Sequence, residues 1–203
     1  MGAELPLAFD LPLNNEDAQD VVRTLARNNI STRIQSGTHT YSNESVQGEL
    51  GVTISTALMK TLHIDSDQKL VHVGVGCTLG EMYDLAHANG YIFIGGTHAS
   101  TGVAGYTLGG GQSTQSRFYG LAVDHVIEFQ FVAPDGQILV VREDGPYNVL
   151  FWALRGGGNS NFGLITTFLF RLHHRSVFPD VTEGTFYFNI ANDKNLTADM
   201  LNS

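Results

Sequence analysis

Hydrophobic positions in the first third of the chain follow a helical period once and then change to strand-like runs. Asn14 is a capping residue followed by acidic residues, and after it Val21, Val22 and Leu25 share one helical face. This pattern predicts an amphipathic helix. Three short β-rich runs come next and predict strands at 31–34, 51–54 and 70–74.

The stretch "TLGEMYDLAHANG" predicts a second, well-delimited helix. Thr78 and Glu81 have the spacing of a capping box, and Gly90 is a natural C-terminal stop. A glycine-dense loop follows, over residues 95–111. The predicted helix is therefore followed by a glycine-rich segment.

A hairpin is predicted over "DHVIEFQFVAPDGQILVV". Ile127, Phe129 and Phe131 alternate onto one face, and Pro134-Asp135-Gly136 forms the turn. A short helix, "YNVLFWAL", and a strand, "LITTFLFRL", come after it. Because helices and strands are intermixed with hairpins, the expected fold class is α+β.

The last residues predict the start of a second lobe. After Pro179 a new strand, "GTFYFNI", begins, and a polar stretch follows it. We therefore expect one domain over 1–175 and the opening of a largely missing lobe over 176–203.

Composition narrows the function classes. The 203-residue chain has a formal net charge of −9 and no Lys/Arg cluster, which argues against nucleic acid as a partner. No run is apolar enough to span a bilayer, and the start lacks the pattern of a signal peptide, so no membrane partner is expected and no compartment is assigned. Cys77 is the only cysteine, which excludes an intrachain disulfide and a cysteine zinc site.

The short turn "SGTHTY" is the first candidate ligand site. Ser36, Gly37 and Thr38 can direct several backbone N–H groups at one anion such as a pyrophosphate, with His39 beside it. On spacing alone, a solvated turn with a surface histidine explains the pattern better.

Two glycine-rich stretches are further candidates. "GGTHASTGVAGYTLGGGQS" carries more glycine than a plain connection needs, which favours backbone packed against a large planar or phosphorylated ligand. It is neither a P-loop nor a Rossmann fingerprint. "LFWALRGGGNSNFGLIT" fits a helix C-cap and turn, or the second wall of one cleft. His173 and His174 are neighbours that would point to opposite strand faces, so no metal site is expected.

Together these stretches resemble the FAD-binding (PCMH-type) domain of the vanillyl-alcohol-oxidase superfamily, specifically the berberine-bridge-enzyme-like FAD-linked oxidases. That family shows an Arg-Ser-Gly-Gly-His turn, a glycine-rich stretch, Tyr-Gly-Leu-x-x-Asp and Phe-Trp-Ala-Leu-Arg-Gly-Gly-Gly. Here the order is "SGTH", "GVAGYTLGGG", "YGLAVD" and "FWALRGGGNSNFGLIT", over roughly residues 6–175. The resemblance implies a fold of two small α/β subdomains.

The resemblance also implies a set of FAD-binding residues. His39 would be bonded covalently to the flavin ring, with the rest of the turn around the pyrophosphate, and Asp124 would be structural. His98 is either a contact at the ring edge or a packed histidine without a role. The implied cofactor-binding residues are Ser36, Gly37, Thr38, His39, Thr40, Tyr41, His98, Thr101, Gly102, Gly105, Tyr106, Gly109, Gly110, Ser113, Gly163 and Ile165.

The chain departs from the family pattern at three positions. Gln35 replaces the arginine before the serine, which removes one positive charge near the phosphates, and Thr38 replaces the second glycine of the turn. Doubly attached relatives have a cysteine where this chain has His98, so that second link is absent.

By resemblance, a full-length relative transfers hydride from an alcohol, sugar or similar small molecule to flavin N5, commonly with dioxygen as acceptor. We therefore expect an FAD-dependent oxidoreductase or its flavin-binding portion, without a catalytic base that can be named. The alternative is a shortened flavin-binding or partner-binding module without turnover. In either case Phe178 and Phe188 would be left uncovered, and a homodimer or a second chain would cover the face of the missing lobe.

Overall fold

A small parallel sheet and one helix form the first unit. The computed structural model describes residues 6–40, 51–157 and 161–177. The sheet has the strand order β1-β3-β2, so that β3 is central and β2 is an edge strand. The elements are β1 (Ala8–Asp10), α1 (Asn15–Arg27), β2 (Ser31–Gln35) and β3 (Gly51–Ser55).

The predicted first helix is confirmed, with its start where the sequence places it. The side chain of Asn14 accepts a hydrogen bond from the Asp17 amide at 2.8 Å, which satisfies one of the free donors of the first turn. Leu25 is buried, and Val21 and Val22 pack against the same core cluster. The apolar face of α1 therefore binds this unit to the rest of the molecule.

The second unit is a five-stranded antiparallel sheet with helices around it. Its strand order is β4-β5-β9-β7-β8, which puts the last long strand of the chain in the middle. The elements are β4 (Leu62–Asp65), β5 (Leu70–Gly74), α2 (Leu79–Ala88), β6 (Tyr91–Ile92), α3 (Val103–Leu108), α4 (Ser116–Tyr119), β7 (Val126–Val132), β8 (Ile138–Arg142), α5 (Asn148–Leu154), β9 (Leu164–Arg171) and β10 (His173–His174).

The main core lies on one face of this sheet. Phe129 and Phe131 of β7 and Phe168 and Phe170 of β9 all belong to this core and are fully buried. The rings of Phe129 and Phe168 meet edge to face with centroids 5.6 Å apart, a favoured aromatic geometry. The hairpin and the strand predicted from the sequence thus supply the centre of the core.

One detail of the predicted hairpin is wrong. Val126 of β7 pairs with Phe170 and Glu128 pairs with Leu169, so Ile127 is an extra residue in a β-bulge. Val126 and Glu128 are buried while Ile127 is only half-buried. Ile127 therefore does not continue the alternation of Phe129 and Phe131.

A second core cluster joins the two units. Ala18 of α1 and Ile54 of β3 pack with Val132 at the end of β7 and Leu164 at the start of β9. The Asn15 side chain adds a 2.8 Å hydrogen bond to Gln130 of β7. The small unit therefore lies across the Val132 and Leu164 ends of the two strands, beside the candidate site.

The α+β class and the division into two α/β units agree with the sequence analysis. The predicted strand over 184–190, Phe178, Phe188 and nearly all of the expected second lobe lie outside the described residues.

Candidate functional site

The turn after β2 is held against the loop before α3 by two glycines. A Cβ on Gly102 would lie 2.7 Å from both the Cα and the N atom of Gly37, closer than real Cβ contacts allow. The Ser36 hydroxyl donates a 2.7 Å hydrogen bond to the carbonyl of Val75, just after β5. Two of the three candidate stretches, about 65 residues apart in sequence, therefore meet at backbone contact distance.

The loop before α3 is itself fixed by backbone hydrogen bonds to the start of α2. Leu79 donates to the carbonyl of Thr101 at 2.8 Å, and Val103 donates to the carbonyl of Cys77 at 2.9 Å. The predicted capping box is present, with the Thr78 amide donating to Glu81 at 2.7 Å. A well-capped helix thus supports the loop that contacts the turn.

One residue of the turn has an unusual backbone conformation. Thr38 has a φ of +50°, in the left-handed region that favours glycine. Thr38, His39 and Thr40 are all exposed. The β-branched residue at the family's glycine position is therefore held in a conformation that costs it energy, at the mouth of the site.

The third candidate stretch closes the other side. Gly163 has a φ of +151°, and a Cβ there would lie 2.7 Å from the carbonyl oxygen of Val132. This places the segment before β9 tightly against the end of β7. Asn161 and Phe162, directly before it, face the same space as the turn.

These three segments line one cleft of about 1070 Å³. This volume is at the upper end of the range of about 300–1,000 Å³ for small-molecule and cofactor sites, so it has room for a dinucleotide. Eleven of the predicted cofactor residues line it: Ser36, Gly37, Thr38, His39, Thr40, Thr101, Gly102, Gly105, Tyr106, Gly163 and Ile165.

A smaller cavity of about 410 Å³ adjoins the cleft and shares Thr101 and Tyr106 with it. Predicted residues His98 and Ser113 line this second cavity. The rings of His39 and His98 lie edge to face with centroids 5.7 Å apart. The two candidate histidines are therefore neighbours at the place where the cavities meet.

Tyr106 separates the two spaces. Its hydroxyl donates a 2.7 Å hydrogen bond to the carbonyl of Gln112, and burial raises the pKa of the phenol to about 12. Tyr106 is therefore a neutral side chain at physiological pH, suited to packing and hydrogen bonding.

Two predicted cofactor residues with described positions do not line either cavity. Gly109 and Gly110 follow α3 and belong to neither lining, and Tyr41 lies outside the described residues. Conversely, Arg33 of β2 lines the cleft although the sequence analysis did not select it. The sequence signal that could have identified Arg33 is its position on the predicted strand that leads into the turn, two residues before Gln35.

Asp124 has the structural role that was expected. It accepts a 2.9 Å hydrogen bond from the Leu121 amide, and its other oxygen accepts from Arg155 at 2.7 Å. This ion pair joins the "YGLAVD" motif to the "RGGG" motif. Two motifs that are about 30 residues apart in the sequence are therefore joined by a side-chain contact.

The remaining titratable candidates lie away from the cleft. Cys77 is buried, and burial raises the pKa of its thiol to about 11. His173 contacts His125 at 3.2 Å whereas His174 contacts Ser176, so the two adjacent histidines do separate as predicted.

Among the described residues, no helix has the length and apolar character to cross a membrane.

The donor groups suit FAD. The tight packing at Gly37, Gly102 and Gly163 brings the three segments to one cleft, and the Ser36–Thr40 turn brings hydroxyls and amides to one of its walls. The lining around them is mixed apolar and polar, as a flavin with a sugar-phosphate tail requires.

Comparisons with known proteins agree with this geometry. Residues 6–142 match the model of the FAD binding domain family. FAD-linked oxidoreductase YgaK of Bacillus subtilis is 33% identical over 161 residues, covering 78% of this chain and 36% of that protein. Berberine bridge enzyme-like 18 of Arabidopsis thaliana is 36% identical over 163 residues, covering 79% of this chain and 30% of that protein.

Solved structures show the same fold. That of 6-hydroxy-D-nicotine oxidase from Arthrobacter nicotinovorans superposes with a TM-score of 0.80 at 27% identity, covering 85% of this chain and 38% of that one. BBE-like #28 from Arabidopsis thaliana gives 0.79 at 31% identity, covering 85% and 36%. The chain thus spans about a third of the length of these relatives. It belongs to the FAD binding domain family, as a PCMH-type domain of the berberine-bridge-enzyme-like oxidases.

Proposed function

We propose that the cleft binds FAD, that His39 attaches the flavin covalently, and that the protein acts as an FAD-dependent oxidoreductase. The observation that carries the proposal is the convergence of three glycine-containing segments on one space of about 1070 Å³. Gly37 and Gly102 lie in backbone contact, and Gly163 packs against Phe131 and the Val132 carbonyl, so each segment is held at the border of this space by a residue without a side chain.

The residues of the cleft have separate tasks in this proposal. The Ser36–Thr40 turn donates hydrogen bonds to the pyrophosphate, and Thr38 adds a hydroxyl. His39 supplies a neutral ring nitrogen as nucleophile for the attachment. Tyr106 and His98 face the neighbouring cavity, where they exclude water and orient the ring edge.

FAD, when bound, supplies the two-electron acceptor for the reaction, and the protein supplies orientation and electrostatics. The proposed substrate is an alcohol, a sugar or a similar small molecule that gives hydride to flavin N5, with dioxygen as the final acceptor. The family supports this proposal, because the matched relatives are named FAD-linked oxidoreductases and berberine bridge enzyme-like proteins. No catalytic base is assigned to the described residues.

The attachment is tested by acid precipitation of the purified protein. We expect yellow flavin to stay with the wild-type pellet and to appear in the supernatant of His39→Ala. His87→Ala is the matched control, because His87 is an exposed histidine on α2 that lines neither cavity. Flavin that leaves the wild-type pellet contradicts covalent attachment, and a native protein without flavin contradicts the proposal as a whole.

An alternative is a flavin-binding module without turnover, completed by a second copy or by another chain. Peroxide release from a panel of sugars and alcohols separates the two functions, because only the oxidoreductase produces it. Sedimentation of the same sample shows whether a dimer forms.

A further inference from the structure

The cleft differs in charge from the chain that forms it. The sequence has 20 Asp and Glu residues against 11 Lys and Arg, a formal net charge of −9. Among the described residues that line the cleft there is neither an aspartate nor a glutamate, and Arg33 is the single Lys or Arg. An acidic chain therefore forms a cleft whose described lining holds no carboxylate, which suits the binding of an anion.

Arg33 is positioned by the strand that leads into the turn. It lies on the edge strand β2, pairs with Thr53 of the central strand β3, and is exposed. Only Ile34 and Gln35 separate it from Ser36, the first residue of the turn. The backbone of β2 thus fixes the position of Arg33 in the lining of the cleft.

Gln35 does not supply a positive charge to the cleft. This residue, directly before the turn, is an uncharged amide that does not line the cleft. The turn itself offers amides and hydroxyls, which donate hydrogen bonds but carry no full charge. One cation two residues upstream is what the described cleft provides.

We infer that Arg33 is the cation that binds the diphosphate of the dinucleotide in this cleft. The inference rests on the proposed function and adds to it the residue that recognises the anionic part of the ligand. A guanidinium keeps its charge at all physiological pH values and pairs with two phosphate oxygens at once. It also offsets the repulsion between the acidic protein and a ligand with two negative charges.

The test uses the whole chain with His39→Ala, in which flavin binding is reversible, and follows the quenching of flavin fluorescence. Addition of Arg33→Ala should weaken FAD binding about tenfold, which corresponds to about 1.4 kcal/mol. Arg33→Lys should lose less, because the charge stays while the two-pronged geometry is lost. Riboflavin, which has no phosphate, should bind with equal affinity to the His39→Ala parent and to the protein that also carries Arg33→Ala.

Arg27→Ala is the matched control, because Arg27 is an exposed arginine in the last turn of α1 that does not line the cleft. It changes the net charge equally and should leave the FAD affinity within twofold. Equal losses for Arg33→Ala and Arg27→Ala overturn the inference, and so does an equal loss of riboflavin and FAD affinity. If the His39→Ala parent binds riboflavin but not FAD, or neither flavin, the proposed function fails first and the inference with it.

Discussion

Gly37 and Gly102 lie backbone to backbone, and neither has room for a side chain. The contact joins the turn after β2 to the loop before α3, two segments about 65 residues apart in the chain. A Cβ at Gly102 would also lie 3.3 Å from the Ser36 hydroxyl oxygen, the atom that ties the turn to Val75. The geometry of the cleft therefore depends on two residues that contribute no side-chain atoms to it.

Gly102→Ala should lower the free energy of unfolding by about 1–3 kcal/mol, because the two loops must separate to admit the methyl group. Thermal and urea denaturation measure this loss. Gly109→Ala is the matched control: its Cβ would meet no heavy atom closer than 3.5 Å, and its φ is −86°. Equal stability of the two variants would show that the loops are not in contact.

Thr38→Gly should stabilise the protein or leave it unchanged, in contrast to most glycine substitutions. The left-handed conformation costs a residue with a Cβ about 1–2 kcal/mol, and glycine avoids this cost. Part of the gain, about 0.5–1 kcal/mol, is offset because glycine has more conformational freedom in the unfolded chain. The net expected gain is up to about 1 kcal/mol in urea denaturation. Thr32→Gly, at an exposed position in β2, should destabilise; a loss of the same size for Thr38→Gly would contradict the φ of +50°.

Asp124→Ala should cost more stability than Arg155→Ala. Both variants lose the ion pair, which is partly exposed and contributes about 0.2–1 kcal/mol. Only Asp124→Ala also leaves the Leu121 amide without its acceptor, which adds about 1 kcal/mol. A double-mutant cycle measured by urea denaturation isolates the pair, and an Arg155→Ala loss equal to that of Asp124→Ala would show that the backbone bond contributes nothing.

The stability of the protein should fall in mild acid because of His125. Burial is the main cause that lowers its pKa, with His173 and Arg171 acting in the same direction and Asp124 and the Tyr119 backbone opposing them. The pKa of His173 is lowered too, first by burial. The unfolded chain, with histidine pKa values of about 6.5, therefore binds protons more tightly than the folded one.

It follows that this contribution is complete above about pH 6.5 and is lost as the pH falls through the lowered folded pKa values. Urea denaturation at about pH 8 and about pH 5 should show the difference, and His125→Gln should reduce it. An equally steep loss in His125→Gln would mean that other groups cause it.

Much of the fold follows from local patterns in the sequence. The helix after Asn14, the capping box of Thr78 and the phenylalanine strands β7 and β9 are determined by neighbouring residues and are found where predicted. The short strands β1, β4, β6 and β10 were not predicted. They have two to four residues each, and they are strands only because longer neighbours supply their hydrogen-bond partners.

The site was predicted less completely, for a physical reason. Gly37 and Gly163 are recognisable as candidates from local sequence, but their common cleft is created by contacts between segments more than 120 residues apart. Arg33 was missed because an arginine on an edge strand is ordinarily a solvated residue. It lines the cleft only because of the position of β2 in the folded protein. The bulge at Ile127 likewise depends on the partner strand β9 and not on the sequence of the hairpin.

The position of β9 in the sheet determines the minimal folding unit of the protein. The family model ends at residue 142, but a polypeptide cut there would keep β5 and β7 and lose the strand that lies between them. Its two hairpins would each expose an unpaired strand edge, a template for aggregation. During synthesis the cofactor pocket can likewise close only after residue 165 has left the ribosome, because Gly163, Leu164 and Ile165 belong to its lining.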